Sequence, residues 1–242
     1  MIPKKIHYVW FGGNKLPHLG KKCLKSWKKY CPDYEIVLWN EKNFDISSCP
    51  LYVRQAYEMK KWAFVSDYAR LKIIYENGGI YLDTDVEIIK NIDFLLEHEA
   101  FFAIESDGIT VASGLGFGAE QGNAAVKTMM DDYEGQAFVK EDGSFDLTPC
   151  PVRNTRSLYK YGFEKENKDQ LLPGNIRILP SEYMCPMFYS TGILTITDKT
   201  ISIHHYSSSW INGWVRFRVK ITRKLRRTFG EHCLDFLKRK KK

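Results

Sequence analysis

At 242 residues, with 44% hydrophobic and 27% charged side chains, the chain has the composition of one folded domain or a domain with a tail. No apolar run approaches the ~18 residues of a membrane span, and Gly12-Gly13 falls where an export signal would need its apolar stretch. A membrane-spanning or secreted protein is therefore not expected, and a cytoplasmic one is.

Taken in order, Ile6–Phe11 reads as a buried strand that ends in a tight turn at Gly12-Gly13. Leu24–Tyr30 is helical in character, Tyr34–Trp39 reads as a second strand, and Asn40–Asn43 as the loop after it. This opening resembles a nucleotide-binding half-fold without a GxGxxG or GK[ST] phosphate loop. Tyr52–Asn77 follows a helical pattern in two pieces, with Gly78-Gly79 as the stop. Ile80–Leu82 is a strand leading into Asp83-Thr84-Asp85. Phe101–Glu105 and Gly114–Gly118 read as further sheet and loop, and Ala124–Tyr133 as a helix. Residues 135–175 are turn-rich, and Ile176–Leu179 and Ile201–His204 are short late strands. The fold class this implies is α/β, a mixed central sheet flanked by helices.

The net charge of +7 is unevenly placed. From Val215 to Lys242, twelve Lys and Arg face only Glu231 and Asp235, so residues 1–214 form a mildly acidic body with a basic tail at 215–242. Phe217, Ile221, Leu225 and Phe229 recur every four residues among the cations, an apolar stripe on a basic helix. That pattern suits an anionic membrane surface better than nucleic acid; the plain alternative is a helix packed on the body with a solvated basic face. The six cysteines are scattered without a CxxC pair, which favours reduced thiols over disulfides or a zinc finger.

The most informative tripeptide is Asp83-Thr84-Asp85. Within a strand, Asp83 and Asp85 share a face, and two carboxylates projecting together call for a cation. Oxygen ligands suit Mg²⁺ or Mn²⁺, and open α/β sheets bind ligands at the carboxyl ends of their strands. Upstream, Asp67 and Arg70 are three apart on the expected helix, beside Phe64, Val65, Leu71 and Ile74. The pair is either an ordinary intrahelical ion pair or an acceptor and a fork of donors for sugar hydroxyls.

The stretch SDYARLKIIYENGGIYLDTDVEII (Ser66–Ile89) resembles the signature of the family 32 glycosyltransferases, the DXD-containing sugar transferases of capsule and outer-chain synthesis. It is also similar to the glucosyltransferase domains of the large clostridial toxins. IPKKIHYVWFGG, YEIVLWNEKNF and the late HHYSSSW fit the same families, so the resemblance covers residues 1–90 and resumes near 200–214. It implies a GT-A fold and a divalent ion, Mn²⁺ or Mg²⁺. The implied reaction is transfer, with retained anomeric configuration, from a UDP-sugar or other nucleotide-sugar donor. The acceptor would be a polysaccharide or lipid-linked oligosaccharide, and the tail would meet the inner face of the cell membrane.

Carried over by position, Trp10 stacks on the uracil ring, with Asn43 nearby. Asp67 and Arg70 hold donor hydroxyls, and Tyr81 lines the donor pocket. Asp83 meets ribose or sugar and the metal shell, and Asp85 binds the metal. Counting back from Trp210 places His205 as a metal ligand, with His204 as the alternative, and Ser208 near the ion. Trp210 contacts the diphosphate. Two other readings compete. A haloacid-dehalogenase phosphohydrolase also begins with DxD but wants Thr or Val where this chain has Glu87. A non-catalytic carbohydrate- or membrane-binding module would not need Asp85.

Overall fold

The computed structural model describes residues 1–207, 213–230 and Cys233. Strand β1 (Lys5–Val9) leads through the Gly12-Gly13 turn into helix α1 (His18–Tyr30) and strand β2 (Glu35–Trp39). Helices α2 (Leu51–Glu58) and α3 (Trp62–Asn77) follow, then the short strands β3 (Gly79–Tyr81) and β4 (Val86–Ile88). Next come β5 (Ala100–Ala103), β6 (Phe117–Ala119), α4 (Ala124–Asp131) and α5 (Cys150–Leu158). The described elements end with β7 (Gln170–Leu172), β8 (Ile176–Leu179), α6 (Ser181–Met184), β9 (Ser202–His204) and α7 (Gly213–Phe229).

Seven strands form one sheet in the order β2-β1-β3-β6-β5-β8-β7. β2, β1 and β3 run parallel, β6 lies antiparallel between β3 and β5, and β8 returns parallel to β5 with β7 antiparallel outside it. The expected mixed α/β class is what the chain adopts. Because successive strand residues face opposite ways, Phe101 and Phe102 enter different cores. Phe102 joins Tyr52, Tyr68, Phe117 and Phe138 on one face, and Phe101 joins Trp27, Leu82, Val86 and Leu115 on the other.

Helix α3 is the central helix. It buries Val65, Tyr68, Ala69, Arg70, Leu71, Ile73 and Ile74, on nearly every side, as a helix wedged between layers must. Gly78 (φ +65°) and Gly79 (φ +103°) then turn the chain straight into β3. A side chain at Gly79 would meet the Lys5 carbonyl at 2.9 Å, so the reversal against β1 needs glycine. Helix α1 buries Cys23, Ser26 and Trp27 on one face. Two of these finish the hydrogen bonding of β4: Trp27 Nε1 donates to the Val86 carbonyl (2.8 Å), and Ser26 Oγ accepts from the Ile88 N–H (3.0 Å). On its other edge β4 pairs with β9, Val86 opposite His204.

Three expectations change. The strand after Gly78-Gly79 stops at Tyr81, so Asp83-Thr84-Asp85 is a turn closed by the Val86 N–H on the Asp83 carbonyl (3.0 Å), and strand alternation is not what brings the two carboxylates together. Residues 135–175 contain α5 and β7. Helix α5 is organised by a buried cation rather than an apolar stripe. Arg153, 4% exposed, reaches Asp132 (2.8 Å) and Asp146 (2.6 Å) and lies over the rings of Tyr52 and Tyr133. Lastly, α7 starts at Gly213, so a boundary between 214 and 215 cuts through a helix.

Candidate functional site

β1, β2 and β3 are parallel, so their carboxyl ends open at one edge of the sheet, which receives Trp10, the Asn40–Asn43 loop and the acidic turn. At that edge Asp83 is fixed from three sides. The Tyr81 hydroxyl donates to its Oδ1 (2.8 Å), and Arg70 Nη2 lies 3.2 Å from the same oxygen. Behind Oδ2 lies Gly114, in a 3₁₀ turn over Ser113–Leu115; a Cβ there would come within 2.7 Å of Oδ2 and 3.0 Å of Arg70 Nη1.

Arg70 is 5% exposed and almost fully engaged. Its Nε donates to the Ser66 carbonyl (3.1 Å), Nη2 reaches Asp67 (3.1 Å), and Nη1 faces Ser113 Oγ (3.5 Å) and Cys150 Sγ (3.8 Å). Its guanidinium also lies over the Tyr81 ring, 5.1 Å from the centroid. Burial pushes the Asp67 carboxyl up to about 6, against the pull of Arg70. Asp83 is likewise raised by burial despite Arg70. The whole group is thus one buried cation shared by two desolvated acids, costly to assemble and rigid once assembled.

Asp85 occupies a different setting. Its Oδ2 accepts from the Ser207 N–H (2.7 Å), and its Oδ1 is 3.3 Å from His204 Nε2. Burial alone would raise its carboxyl, but the His204 charge and hydrogen bond and the Ser207 N–H hold it well below the usual range. The chain bends sharply after β9: Tyr206 has φ +49°, a left-handed conformation that is uncommon for a bulky residue and costs about 1 kcal/mol or more. The Tyr206 hydroxyl against Cys185 Sγ (2.9 Å) braces the bend that aims Ser207 at Asp85.

Asp83, Asp85 and His204 each bring one ligand atom to a common point, all within 4.8 Å of one another. Their side chains are 24%, 13% and 12% exposed, open enough to be reached from solvent. His204 Nδ1 is buried without a hydrogen-bond partner among the described residues. Two carboxylates and an imidazole, with the His204 Nδ1 left without a partner among the described residues, fit a divalent cation of the Mn²⁺ or Mg²⁺ kind.

Of the expected site residues, the structure brings together Asp67, Arg70, Tyr81, Asp83 and Asp85. Tyr81, 1% exposed, is not positioned to line a pocket; it holds Asp83. The histidine at the carboxylates is His204 and not His205. His205, the first residue past β9, turns its Nε2 to Glu87 (2.8 Å), which Lys22 also grips. Trp10 lies half-buried at the same sheet edge, its Nε1 on the Asn14 carbonyl (2.6 Å). Asn43 uses its amide to close its own loop, accepting from Asn40 N–H and donating to the Leu38 carbonyl, both 2.9 Å. An open depression of about 560 Å³ beside it is lined by Glu41–Ser47 and Tyr57. Ser208 and Trp210 lie outside the described residues. Cys150 and the Ser207 N–H carry no signal in the sequence; the Ser113–Gly118 segment, read from its glycines as a source of sugar-hydroxyl contacts, instead places Ser113 and Gly114 against Arg70 and Asp83.

Residues 17–102 match the family model for the glycosyltransferase sugar-binding region containing the DXD motif. The chain is 24% identical over 239 residues to "Subversion of eukaryotic traffic protein A" of Legionella pneumophila, covering 84% of this chain and 34% of that protein. It is 35% identical over 107 residues to "Inositol phosphoceramide mannosyltransferase 3" of Schizosaccharomyces pombe, covering 41% of this chain and 29% of that protein. The chain therefore spans about a third of the length of these curated relatives. Among solved structures, the PaToxG glycosyltransferase aligns at a TM-score of 0.49 and 16% identity, over 66% of this chain and 69% of that one.

Proposed function

We propose, on the match of residues 17–102 to the sugar-binding region of the DXD-containing glycosyltransferases, that the chain transfers a hexose, with retention, from a UDP-sugar to a polysaccharide or lipid-linked oligosaccharide. The observation that carries this reading is the convergence of Asp83, Asp85 and His204 at the carboxyl edge of a parallel strand set.

Asp83, Asp85 and His204 would hold Mn²⁺ or Mg²⁺. When bound, the ion would offset the charge that builds on the diphosphate as the sugar–phosphate bond breaks. The protein's own groups do the rest. Arg70 fixes Asp67 and Asp83 in one orientation, leaving the remaining Asp67 carboxyl lone pairs to accept from sugar hydroxyls. The Tyr81 hydroxyl keeps Asp83 from rotating, so the acidic edge is preorganised before donor arrives. Trp10, at the end of β1, offers an indole face to the nucleobase. A retained configuration needs the acceptor oxygen to enter on the face the diphosphate leaves. That arrangement asks for no protein nucleophile opposite. Ser208 and Trp210 belong to the same proposal as donor-contacting groups.

The test is hydrolysis of a panel of UDP-sugars with Mn²⁺, Mg²⁺ or chelator present. Turnover of at least one donor, lost with chelator, is expected. No turnover of any sugar nucleotide under all metal conditions would overturn the reading.

A further inference from the structure

Helix α7 reverses the usual arrangement of an amphipathic helix on a globular body. Its sequence, GWVRFRVKITRKLRRTF, has seven Lys and Arg and no acid. It is seated through arginine: Arg223 Nε donates to the Tyr189 carbonyl (3.0 Å) with its guanidinium over the Tyr189 ring (5.0 Å), and Arg227 Nη2 donates to the Gly192 carbonyl (2.8 Å). The apolar stripe is left outside. Trp214, Phe217 and Ile221, at positions that share one helix face, are 66%, 52% and 44% exposed, with the Trp214 and Phe217 rings stacked at 5.8 Å. The loop to which the helix is tied is itself apolar and exposed at Ile193 (47%), Leu194 (40%) and Ile196 (55%). Burial of the stripe on the body, the plain alternative for this segment, is therefore not how the helix is used.

We propose that α7 and the 189–196 loop form one docking surface for an anionic lipid bilayer. Charge and chemistry select this occupant together. A bilayer surface presents phosphates above an acyl boundary, and α7 presents cations flanking a stripe of Trp, Phe and Ile. Lys220, Arg223, Lys224 and Arg227 line a concavity of about 350 Å³, room for a phosphate headgroup. A nucleic acid would satisfy the cations but leave the stripe in water. No described helix is long and apolar enough to cross a membrane, so the contact would be interfacial. The surface owes nothing to the sugar-transfer reading, and its test involves no donor.

The experiment is co-sedimentation of the full chain with phosphatidylcholine vesicles, with and without phosphatidylglycerol. Binding at least tenfold stronger to the anionic vesicles, and weakened by salt, is expected. The variants Phe217→Ser/Ile221→Ser and Lys220→Glu/Lys224→Glu should each lower it by about tenfold or more, with unchanged melting temperature. Brominated lipid should quench wild-type emission more than that of Trp214→Phe. If the apolar double variant fails to fold, the charge-reversed one, altered only at exposed lysines, decides. Equal binding to neutral and anionic vesicles, no binding to either, or tighter binding to duplex DNA than to vesicles would overturn the proposal. So would wild-type affinity in the folded variants.

Discussion

Asp85 is the residue on which the proposed chemistry turns, because against the effect of burial His204 and the Ser207 N–H hold its carboxyl below the usual range. Asp85→Asn keeps the hydrogen bond from the Ser207 N–H but loses a negative ligand. Donor hydrolysis should fall to background with little change in melting temperature, as read by enzymatic assay and thermal denaturation. Gly114 gives a sharper prediction, since it touches nothing that reacts. The added methyl of Gly114→Ala would overlap Asp83 Oδ2 and crowd Arg70, moving both by a fraction of an ångström. A misplacement of about 1 Å costs on the order of 10²-fold in kcat when positioning matters, so a loss approaching that size is expected. A variant with wild-type kcat would show that Asp83 need not be held where the structure has it.

At the scale of elements, β1 carries a buried histidine that makes folding sensitive to acid. His7, 1% exposed, donates from Nε2 to the Gly78 carbonyl (3.0 Å) and accepts at Nδ1 from Trp39 Nε1 (3.0 Å), an assignment the two partners dictate. Burial pushes it down to about 4, the Gly78 hydrogen bond opposing. The unfolded chain then binds a proton near 6.5 that the folded chain refuses until about 4, so stability falls as pH drops through that window. The loss is about 3 kcal/mol in full. Urea denaturation of the wild type and His7→Gln at pH 7 and near pH 4 should show the difference in the wild type and a smaller one in the variant. A second element-scale prediction concerns α5: Arg153→Met leaves Asp132 and Asp146 facing a buried gap and should cost about 3 kcal/mol or more in the same assay.

These elements also mark what could be read from the chain. The opening strands, the paired helices and their glycine stop carry strong periodicity, and each forms within a few residues of its expected place. Helix α5 escaped because CPVRNTRSL has no apolar stripe; it is held by Arg153, whose partners are twenty-one and seven positions away. The acidic pair was legible as a ligand set, but not as a turn, because a three-residue strand leaves no pattern to show where it ends. The choice between His204 and His205 hinged on the register of β9 against β4, which only the paired structure contains.

Over the whole molecule, the site draws on α3, the turn after β3, the Ser113–Leu115 turn, α5 and β9, so an ion bound there would tie together distant segments. Saturation at one hundred times Kd would add about 2.7 kcal/mol to folding. For a chain of this size that raises the melting temperature by roughly 5–10 °C. Mn²⁺ should produce this shift in the wild type and not in Asp85→Asn; equal shifts in both would place the ion elsewhere.

The pairing of β4 with β9 has a temporal side. The acidic turn is synthesised in the first half of the chain, whereas its imidazole arrives with His204, over a hundred peptide bonds later. A nascent polypeptide still attached to the ribosome short of that point owns both carboxylates and lacks the third residue of the proposed cation site. On the proposed reading, ion capture would therefore wait for β9, and a chain truncated before it would offer the ion two carboxylates and no imidazole.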